Sequence, residues 1–352
     1  MATLIFTGGG TAGHCTPCLA LIPYLKSEFD KMFYIGSENG IEREIVEKTE
    51  IPYYGIPCAK LVRSFTPKNL GIPFKLFSGI KKSGEILDEL SPDVIFSKGG
   101  YVSLPVVIAA KKRGIPVIAH ESDYTAGLAN KIAAGYCKKV LTAFPETAKT
   151  IKHGEYVGAP VRRELFTANK AAALKSFGFT ESKPVLLVTG GSQGAKALNE
   201  ALRQCLPDLL PRFNIIHLCG KNNLSGTAKR SGYFEAEFLT RMQDAFACAD
   251  VCVSRAGSNS VFELLSLNIP CVLIPLPKGN SRGDQVLNAE YFQRLGLCAV
   301  LPQKVLTKDS LLFAIDSVYA DRKNVARRFA ACPVKDASRK IAAIIADYKP
   351  IK

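Results

Sequence analysis

Short apolar runs alternate with longer amphipathic stretches along the whole chain, a pattern typical of α/β proteins. In each half, apolar runs predict buried strands, and helix-like stretches follow most of them. In the first half the strand-like runs are 2–6, 32–35, 53–56, 93–96, a run opening at Ile115-Pro116, 140–143 and 156–157, and in the second half they are 185–188, 215–218, 250–254 and 271–274. The clearest helical stretches are 41–48, 195–206, 258–267 and 336–348, and a further helix is expected from about Pro17 to Phe29. We therefore predict two similar α/β domains in tandem.

Glycine-rich segments follow the first strand of each half. Gly8, Gly10 and Gly13 come after the first run, and the segment 189–194 comes after the run 185–188. Glycines allow the backbone to approach a ligand, and the following helix offers unbonded N–H groups, so each segment predicts a phosphate cradle. The spacing also fits a dinucleotide fingerprint, but the second strand ends in Gly36 and Ser37 instead of an acidic residue. That ending disfavours a nicotinamide or flavin enzyme.

Polar residues also follow two later strands of the first half, the run 93–96 and the run that opens at Ile115-Pro116. The polar residues are Gly99-Gly100-Tyr101 and the segment from His120 to Asp123. The carboxyl ends of parallel strands meet at one edge of a sheet, so these loops should lie beside the first glycine segment. A single polar loop is usually only a turn, whereas three at one edge predict a binding site.

The bulk composition limits the classes of protein to consider. The chain has 352 residues, enough for two domains, and its net charge of +15 suits an anionic partner such as a nucleic acid, an anionic membrane or a phosphorylated substrate. The basic residues are scattered, which disfavours nucleic acid. We see no signal peptide and no apolar run of membrane-spanning length, and therefore expect a cytoplasmic protein.

Two cysteines, Cys15 and Cys18, are spaced like a redox motif at a helix start. We favour two small buried residues at a crowded turn, since the neighbouring glycine segment already has a role. The segment 60–82 mixes large apolar residues with lysines. It predicts either a loop and helix with a buried apolar face or an interfacial segment that dips Phe and Leu into an anionic bilayer.

The motifs taken together resemble the MurG family, the glycosyltransferases of peptidoglycan precursor synthesis. The resemblance rests on 9–14, 99–103, 120–121, 158–162, 190–195, 254–257 with Glu263, and 284–285 with Asn288. It implies the GT-B architecture, two Rossmann-like domains facing across a cleft. These would be an acceptor- and membrane-side domain over 1–160, onto which a C-terminal helix in 333–352 packs, and a UDP-sugar domain over 161–332.

The resemblance implies an inverting transfer of N-acetylglucosamine from UDP-N-acetylglucosamine to the muramyl sugar of lipid I, giving lipid II. Such an enzyme would act at the cytoplasmic side of the cell membrane as a peripheral protein, and it would need no cofactor. His14 is the candidate base, because its position after the glycine segment and its ordinary pKa near 6.5 suit proton transfer. The alternative is a histidine that only caps the helix or bonds a phosphate. The chain has no D-x-D motif for a metal-bound diphosphate.

Further substrate contacts are carried over from the family. Thr11, Ala12, Gly13 and Asp123 would face the transferred sugar, Leu239 would read uracil, and Glu263 would bind the ribose. The diphosphate would meet Arg162, Ser192, Ser258, Asn259 and Ser260, and the sugar hydroxyls would meet Asp284, Gln285 and Asn288. Glu263 could otherwise be an ordinary surface carboxylate of its helix.

Three other functions remain open at this stage. A GT-B transferase with a different acceptor would share the second-half motifs, so the loops 99–103 and 120–123 discriminate it. A nucleotide-dependent oxidoreductase would carry a bound, coloured cofactor. A UDP-sugar-binding protein would bind UDP without turnover.

Overall fold

The computed structural model describes residues 1–59, 72–191, 194–226, 230–279, 282–332 and 336–350. The chain divides into two compact units. The first comprises Met1–Arg162 together with Asp336–Lys352, and the second comprises Arg163–Lys335. Both are layered α/β structures with a parallel sheet at the centre, which confirms the predicted fold class of two Rossmann-like domains.

The first unit contains a seven-stranded parallel sheet in the order β3-β2-β1-β4-β5-β6-β7. Its strands are β1 (Thr3–Gly8), β2 (Lys31–Ser37), β3 (Tyr53–Ile56), β4 (Val94–Gly99), β5 (Val117–Glu121), β6 (Lys139–Thr142) and β7 (Gly154–Tyr156). Its helices are α1 (Ala12–Leu19), α2 (Ile22–Leu25), α3 (Ile41–Val46), α4 (Ile72–Leu90), α5 (Ser103–Lys112), α6 (Leu128–Ala134) and α7 (Pro145–Thr150). The strand order reverses at β1 and β4, the place where such sheets bind ligands.

The apolar runs form strands because both faces of the sheet are covered. Leu4 and Phe6 of β1 pack into one core, whereas Ile5 between them packs into the core on the opposite face. Alternate side chains of a strand point to opposite faces, so a continuous apolar run is what a doubly covered strand requires.

The last helix of the chain, α14 (Ser338–Ala346), belongs to the first unit. Ile341, Ile344 and Ile345 are buried in the same core as Leu21 and Leu25. Burial of each isoleucine contributes about 1.5–3 kcal/mol. The helix is also fixed at its start, where the Val161 N–H donates to the Ser338 hydroxyl at 3.0 Å.

The second unit repeats the architecture with a six-stranded parallel sheet in the order β10-β9-β8-β11-β12-β13. Its strands are β8 (Val185–Thr189), β9 (Asn214–Leu218), β10 (Tyr233–Ala236), β11 (Val251–Ser254), β12 (Cys271–Leu273) and β13 (Ala299–Val300). Its helices are α8 (Lys170–Ser176), α9 (Lys196–Leu209), α10 (Met242–Cys248), α11 (Ser258–Ser266), α12 (Asp284–Arg294) and α13 (Lys308–Ala331). Its order reverses at β8 and β11, the counterparts of β1 and β4.

Helix α1 differs from the sequence expectation. It begins at Ala12, directly after the glycine segment, and not at Pro17, which lies inside it. The helix is short, ending at Leu19, and α2 follows as a separate turn. Pro17 has no N–H to donate to the preceding turn, yet the helix continues through it as far as Leu19. Among the described helices, none is long and apolar enough to cross a membrane.

Candidate active site

The first glycine segment is clamped on two sides by neighbouring strands. The Tyr34 hydroxyl donates to the Gly8 carbonyl at 2.8 Å, and the Gly9 N–H donates to the Gly99 carbonyl at 3.3 Å. Gly10 has φ of +85°, and a Cβ there would lie 2.5 Å from Tyr101. Glycine is therefore required at this position both by backbone conformation and by space.

His14 lies in the first turn of α1, at the carboxyl edge of the sheet. Its Nδ1 and the Thr11 hydroxyl are 2.9 Å apart. The imidazole also borders the loop after β4, since a Cβ on Gly100 would lie 3.5 Å from the His14 Cγ. The loops after β1 and β4 thus meet around one partly exposed histidine.

The two neighbouring cysteines are packed beneath this helix. Cys15 and Cys18 are both fully buried in the core that α1 and α14 share. Burial raises the pKa of Cys15 to about 11, and it raises the pKa of Cys18 further. Thiols are nucleophilic as thiolates, so the surroundings favour the packing interpretation over redox chemistry.

The loop after β5 brings a buried polar chain to the same edge. Lys98, 2% exposed, donates to the Ser122 hydroxyl, which is 3.5 Å from the His120 Nδ1. On its other side, the His120 Nε2 donates to the Gly158 carbonyl at 2.8 Å. Burial lowers the pKa of His120 well below 6.5, and the Lys98 charge lowers it further, so this imidazole is neutral and orders the loops around it.

Glu121 ties the same loop to α6. Its carboxylate accepts hydrogen bonds from the Asp123 and Gly127 N–H groups, both at 3.0 Å, and from the Asn130 amide at 2.8 Å. Asn130 in turn packs against Gly99, where a Cβ would lie 2.1 Å from the amide oxygen. The loops after β1, β4 and β5 are therefore mutually connected, as their predicted position at one sheet edge requires.

In the second unit, α11 starts at the carboxyl end of β11. Ser258 is its first residue and is buried, while Asn259, Ser260 and Glu263 are partly exposed. Residues three and four apart share a helix face, so Glu263 lies on the same side as Asn259 and Ser260. It is about 7.5 Å further along the axis than Ser258. The start of α11 presents N–H groups and partial positive charge, and a carboxylate lies beyond it.

The glycine loop after β8 lies at the same edge of the second sheet. Gly191 and Gly194 have φ of +76° and +72°, and a Cβ on Gly194 would lie 2.4 Å from the Cys219 carbonyl oxygen. This loop therefore touches the end of β9. Ser192, predicted to meet the diphosphate, lies outside the described residues.

Helix α12 carries the three residues predicted to hold sugar hydroxyls. Asp284, its first residue, forms an ion pair with Arg282 at 2.7 Å, and Gln285 accepts a hydrogen bond from the Leu276 N–H at 3.0 Å. Asn288 is fully buried and donates to the Ala256 carbonyl at 3.3 Å. Through Asn288 this helix fixes the turn before α11. The role of Asn288 as a direct sugar ligand stays a prediction.

Two predicted substrate contacts remain, Leu239 and Arg162. Leu239 is partly exposed and follows β10, next to Phe238, which is half exposed. Arg162 is partly exposed and is the last residue of the first unit before the chain enters the second. The structure thus groups Thr11, Ala12, Gly13, His14 and Asp123 at the edge of the first sheet. It groups Leu239, Ser258, Asn259, Ser260, Glu263, Asp284, Gln285 and Asn288 at the edge of the second.

A buried polar network behind the β8 loop was not predicted. His217 of β9 contacts the Tyr233 hydroxyl at 2.8 Å and the Asn199 side-chain oxygen at 3.0 Å. Glu235 accepts from Arg203 at 2.8 Å and from the Ser225 hydroxyl at 2.6 Å. The network joins α9 to the ends of β9 and β10. In the sequence these residues look like ordinary strand and helix polar positions, so no local signal marks them.

This network predicts a stability that depends on pH. Burial lowers the pKa of His217 from 6.5 to about 4. The His217 imidazole of the unfolded chain binds a proton near pH 6.5, whereas that of the folded chain binds one only near pH 4. The free energy of unfolding therefore keeps its full contribution from His217 above pH 6.5 and loses it progressively as pH drops towards 4. Between about pH 7.5 and 5.5 the free energy of unfolding should fall by about 1 kcal/mol from this group.

Urea unfolding of the wild type and His217→Gln at those two pH values measures this contribution. The other histidines act equally in both proteins, so the wild type should lose more stability than the variant. Equal losses in the two proteins would contradict a neutral buried His217.

Glu235 in the same network also lowers the free energy of unfolding as the pH falls, below about pH 4.5. Burial raises its pKa, but bonds from Ser225 and Arg203 outweigh that and lower it to about 2.

Two family models match the chain. The glycosyltransferase family 28 N-terminal domain matches residues 4–142, and the glycosyltransferase family 28 C-terminal domain matches residues 185–343. Full-length relatives include proteins from Lachnospira eligens, 46% identical, and Clostridium botulinum, 45% identical, each covering 99% of both chains. Both are named UDP-N-acetylglucosamine–N-acetylmuramyl-(pentapeptide) pyrophosphoryl-undecaprenol N-acetylglucosamine transferase.

Solved structures agree with these sequence matches. The crystal structure of Acinetobacter baumannii MurG is 25% identical, with a TM-score of 0.77 over 99% of this chain and 100% of that one. The calicheamicin glycosyltransferase CalG4 is 15% identical, with a TM-score of 0.72 over 99% of this chain and 98% of that one. The second likeness is one of fold alone.

Proposed function

The chain belongs to glycosyltransferase family 28, and we propose that it transfers N-acetylglucosamine from UDP-N-acetylglucosamine to the muramyl sugar of lipid I, giving lipid II and UDP. The sugar donor and the acceptor are those in the names of its full-length relatives. The transfer is a step of peptidoglycan synthesis and therefore serves cell wall growth, cell shape and division.

The single observation that carries the mechanism is the position of His14. It lies where the loops after β1 and β4 meet, with its Nδ1 bonded to the Thr11 hydroxyl. In this account Nδ1–H donates to the Thr11 hydroxyl oxygen, which leaves Nε2 unprotonated, and we assign the acceptor proton to Nε2. As the proton moves to His14, the acceptor oxygen attacks C1 of the donor sugar from the face opposite UDP. The bond from C1 to the diphosphate oxygen breaks, so the configuration at C1 is inverted.

Charge on the departing UDP is stabilised by the second unit. The start of α11 directs backbone N–H groups and partial positive charge outward at Ser258, Asn259 and Ser260. Such preorganised donors stabilise developing negative charge better than water does, because they need no reorganisation during the reaction. Glu263, on the same face of α11, holds the ribose hydroxyls. We assign Leu239 to uracil, and Asp284 and Gln285 to the hydroxyls of the transferred sugar.

The acceptor carries a lipid chain, so we further propose that the enzyme works on the cytoplasmic face of an anionic membrane. Helix α4 supports this location, since Phe74 and Phe77 near its start are 80% and 72% exposed. Lys75, Lys81 and Lys82 lie beside them and are also exposed. Each lysine near an anionic surface contributes about 1 kcal/mol to binding. The rest of the interfacial segment predicted from the sequence, 60–71, lies outside the described residues.

Helix α6 presents a second apolar surface on the same side of the sheet. Leu128 and Ile132 are 60% and 44% exposed and four residues apart, with the exposed Lys131 between them. Helix α5 packs against both α4 and α6. The exposed apolar and basic residues of α4 and α6 are therefore carried by two helices that pack on either side of α5.

Replacing Phe74 and Phe77 together by serine should weaken binding to vesicles that contain phosphatidylglycerol. Each phenylalanine contributes about 1.5–3 kcal/mol when buried, so the loss should be about 10-fold or more even for partial insertion. Activity on a soluble acceptor analogue should remain. Phe313→Ser on α13, where the side chain is 75% exposed in the second unit, is the control. If the double variant sediments with vesicles as well as the wild type does, this membrane surface is wrong.

The overall function is tested by identifying the product. Incubation with UDP-N-acetylglucosamine and a short-chain lipid I analogue should give the disaccharide lipid, with a β linkage from the α-linked donor. A product with the original configuration would contradict the inverting mechanism, and no disaccharide lipid would contradict the acceptor.

A further inference from the structure

A carboxyl group is buried directly beneath the first glycine segment. It belongs to Glu42 in the first turn of α3, and its side chain has no exposed surface. Three donors surround it: the Gly10 N–H at 3.1 Å, the Ser37 N–H at 3.1 Å and the Ser37 hydroxyl at 2.5 Å. A carboxylate is acceptor-only, so it can satisfy all three donors at once.

The backbone around Glu42 is shaped to admit this group. A Cβ on Gly9 would lie 2.5 Å from the Glu42 Cδ, and a Cβ on Gly40 would lie 2.3 Å from its Oε1. These contacts are closer than heavy atoms can approach, so both positions must be glycine while the carboxyl is present. Gly9 is thus explained by the protein's own side chain and not by a ligand.

This arrangement changes the interpretation of the segment as a phosphate cradle. The Gly10 N–H is one of the donors that such a cradle would offer, and the protein already bonds it to an acid of its own. The Glu42 carboxylate accepts the hydrogen bond that a ligand anion accepts in other glycine loops. It also holds the residue just before Thr11, the helix-capping position that bonds His14.

We propose that Glu42 is a positioning residue for the transfer, fixing the Gly8–Gly10 backbone so that Thr11 and His14 keep a single orientation. The proposal rests on His14 being the base of the proposed function. Glu42 does not touch the substrate in this account. It acts through Gly10, much as groups outside the reacting centre hold a catalytic histidine in other enzymes.

Glu42→Gln is the sharpest variant, because it keeps the size of the side chain and replaces one acceptor by an NH₂ donor. That donor faces an N–H or O–H donor, so one buried group loses its partner. Misplacement of a base by a fraction of an ångström is costly, and kcat should fall about 10-fold to 100-fold. The KM for UDP-N-acetylglucosamine should change less than about 2-fold, since most of the predicted donor contacts lie in the second unit.

The histidine signals in ¹H–¹³C NMR spectra distinguish a misoriented His14 from a general loss of structure in the unit. The chain has four histidines, and His14→Ala assigns the signal of interest. In Glu42→Gln the His14 signal and its titration should shift, while the signal of His120, buried in the same unit, stays in place. Glu44→Gln, an exposed acid in the same helical turn, is the matched control and should change neither kcat nor the His14 signal.

Three results would overturn the proposal. The first is a Glu42→Gln enzyme with wild-type kcat, and the second is an unchanged His14 titration. The third is a disturbance that moves the His120 signal as much as the His14 signal, because Glu42 would then only stabilise the unit. If instead His14→Ala keeps its turnover, the base assignment of the proposed function fails. The NMR comparison still decides whether Glu42 orients His14.

Discussion

His14→Ala should lose most of its turnover while binding UDP-N-acetylglucosamine as well as the wild type does. A positioned general base contributes about 10²-fold to 10⁴-fold, so kcat should fall by about three orders of magnitude. Most of the predicted donor contacts lie in the second unit and none is assigned to His14, so the Kd of the donor should change less than about 2-fold. The measurements are steady-state UDP release at saturating acceptor and donor binding by calorimetry.

The pH profile gives this variant a second readout. In the wild type, kcat should rise with pH as the imidazole loses its proton, and this limb should vanish in His14→Ala. His153→Asn is the control. His153 is exposed and has φ of +59°, a conformation that asparagine also tolerates. Near-normal turnover of His14→Ala would remove it as the base, and an equal loss in His153→Asn would point to general instability.

Glu263→Ala should weaken UDP binding by about 100-fold. Two hydrogen bonds from ribose hydroxyls to a charged carboxylate are together worth about 3 kcal/mol, which corresponds to that factor. Because the contact is present before and during the reaction, kcat at saturating donor should change little. Calorimetric titration with UDP measures the loss directly.

A deoxynucleotide makes the Glu263 test specific. The wild type should bind 2′-deoxy-UDP more weakly than UDP, and Glu263→Ala should no longer distinguish the two. Glu290→Ala, an exposed acid on α12, should bind both like the wild type. Full discrimination by Glu263→Ala would show that Glu263 is an ordinary surface carboxylate and that another group holds the ribose.

The sheets could be predicted from the sequence because their strands are covered on both faces. Continuous apolar runs such as 94–96 and 185–188 are then the direct sign of burial, and the glycine segments mark where the strands end. Helix α13 could also have been predicted from the sequence. Leu311, Ile315 and Val318 are buried at helical spacing, and a capping box joins Thr307 and Ser310 at its start.

The buried polar groups could not be predicted in the same way. Glu42 and Glu44 are two residues apart in one helical turn, yet one is fully buried and the other exposed. What separates them is the space left by Gly9 and Gly40, which only the folded backbone reveals. Lys98 is similar, because a lysine within a strand reads as a solvated position until the loop after β5 covers it.

The substrate roles of the site residues come from the family resemblance and remain predictions. The structure adds that His14 is bonded to Thr11 and that Glu263 shares a helix face with Asn259. It also shows that Asn288 is buried against the turn before α11. These positions favour His14 and Glu263 as the most informative changes, and Asn288 as a residue whose loss would act through the backbone.

The central claim is that this chain transfers N-acetylglucosamine to a lipid-linked muramyl acceptor. The most direct measurement is UDP release from UDP-N-acetylglucosamine by the wild-type protein, with and without a short-chain lipid I analogue. The account predicts release that depends on the acceptor and saturates with it. Tight UDP binding with no acceptor-dependent release would contradict it, leaving a UDP-sugar fold whose acceptor is a different molecule.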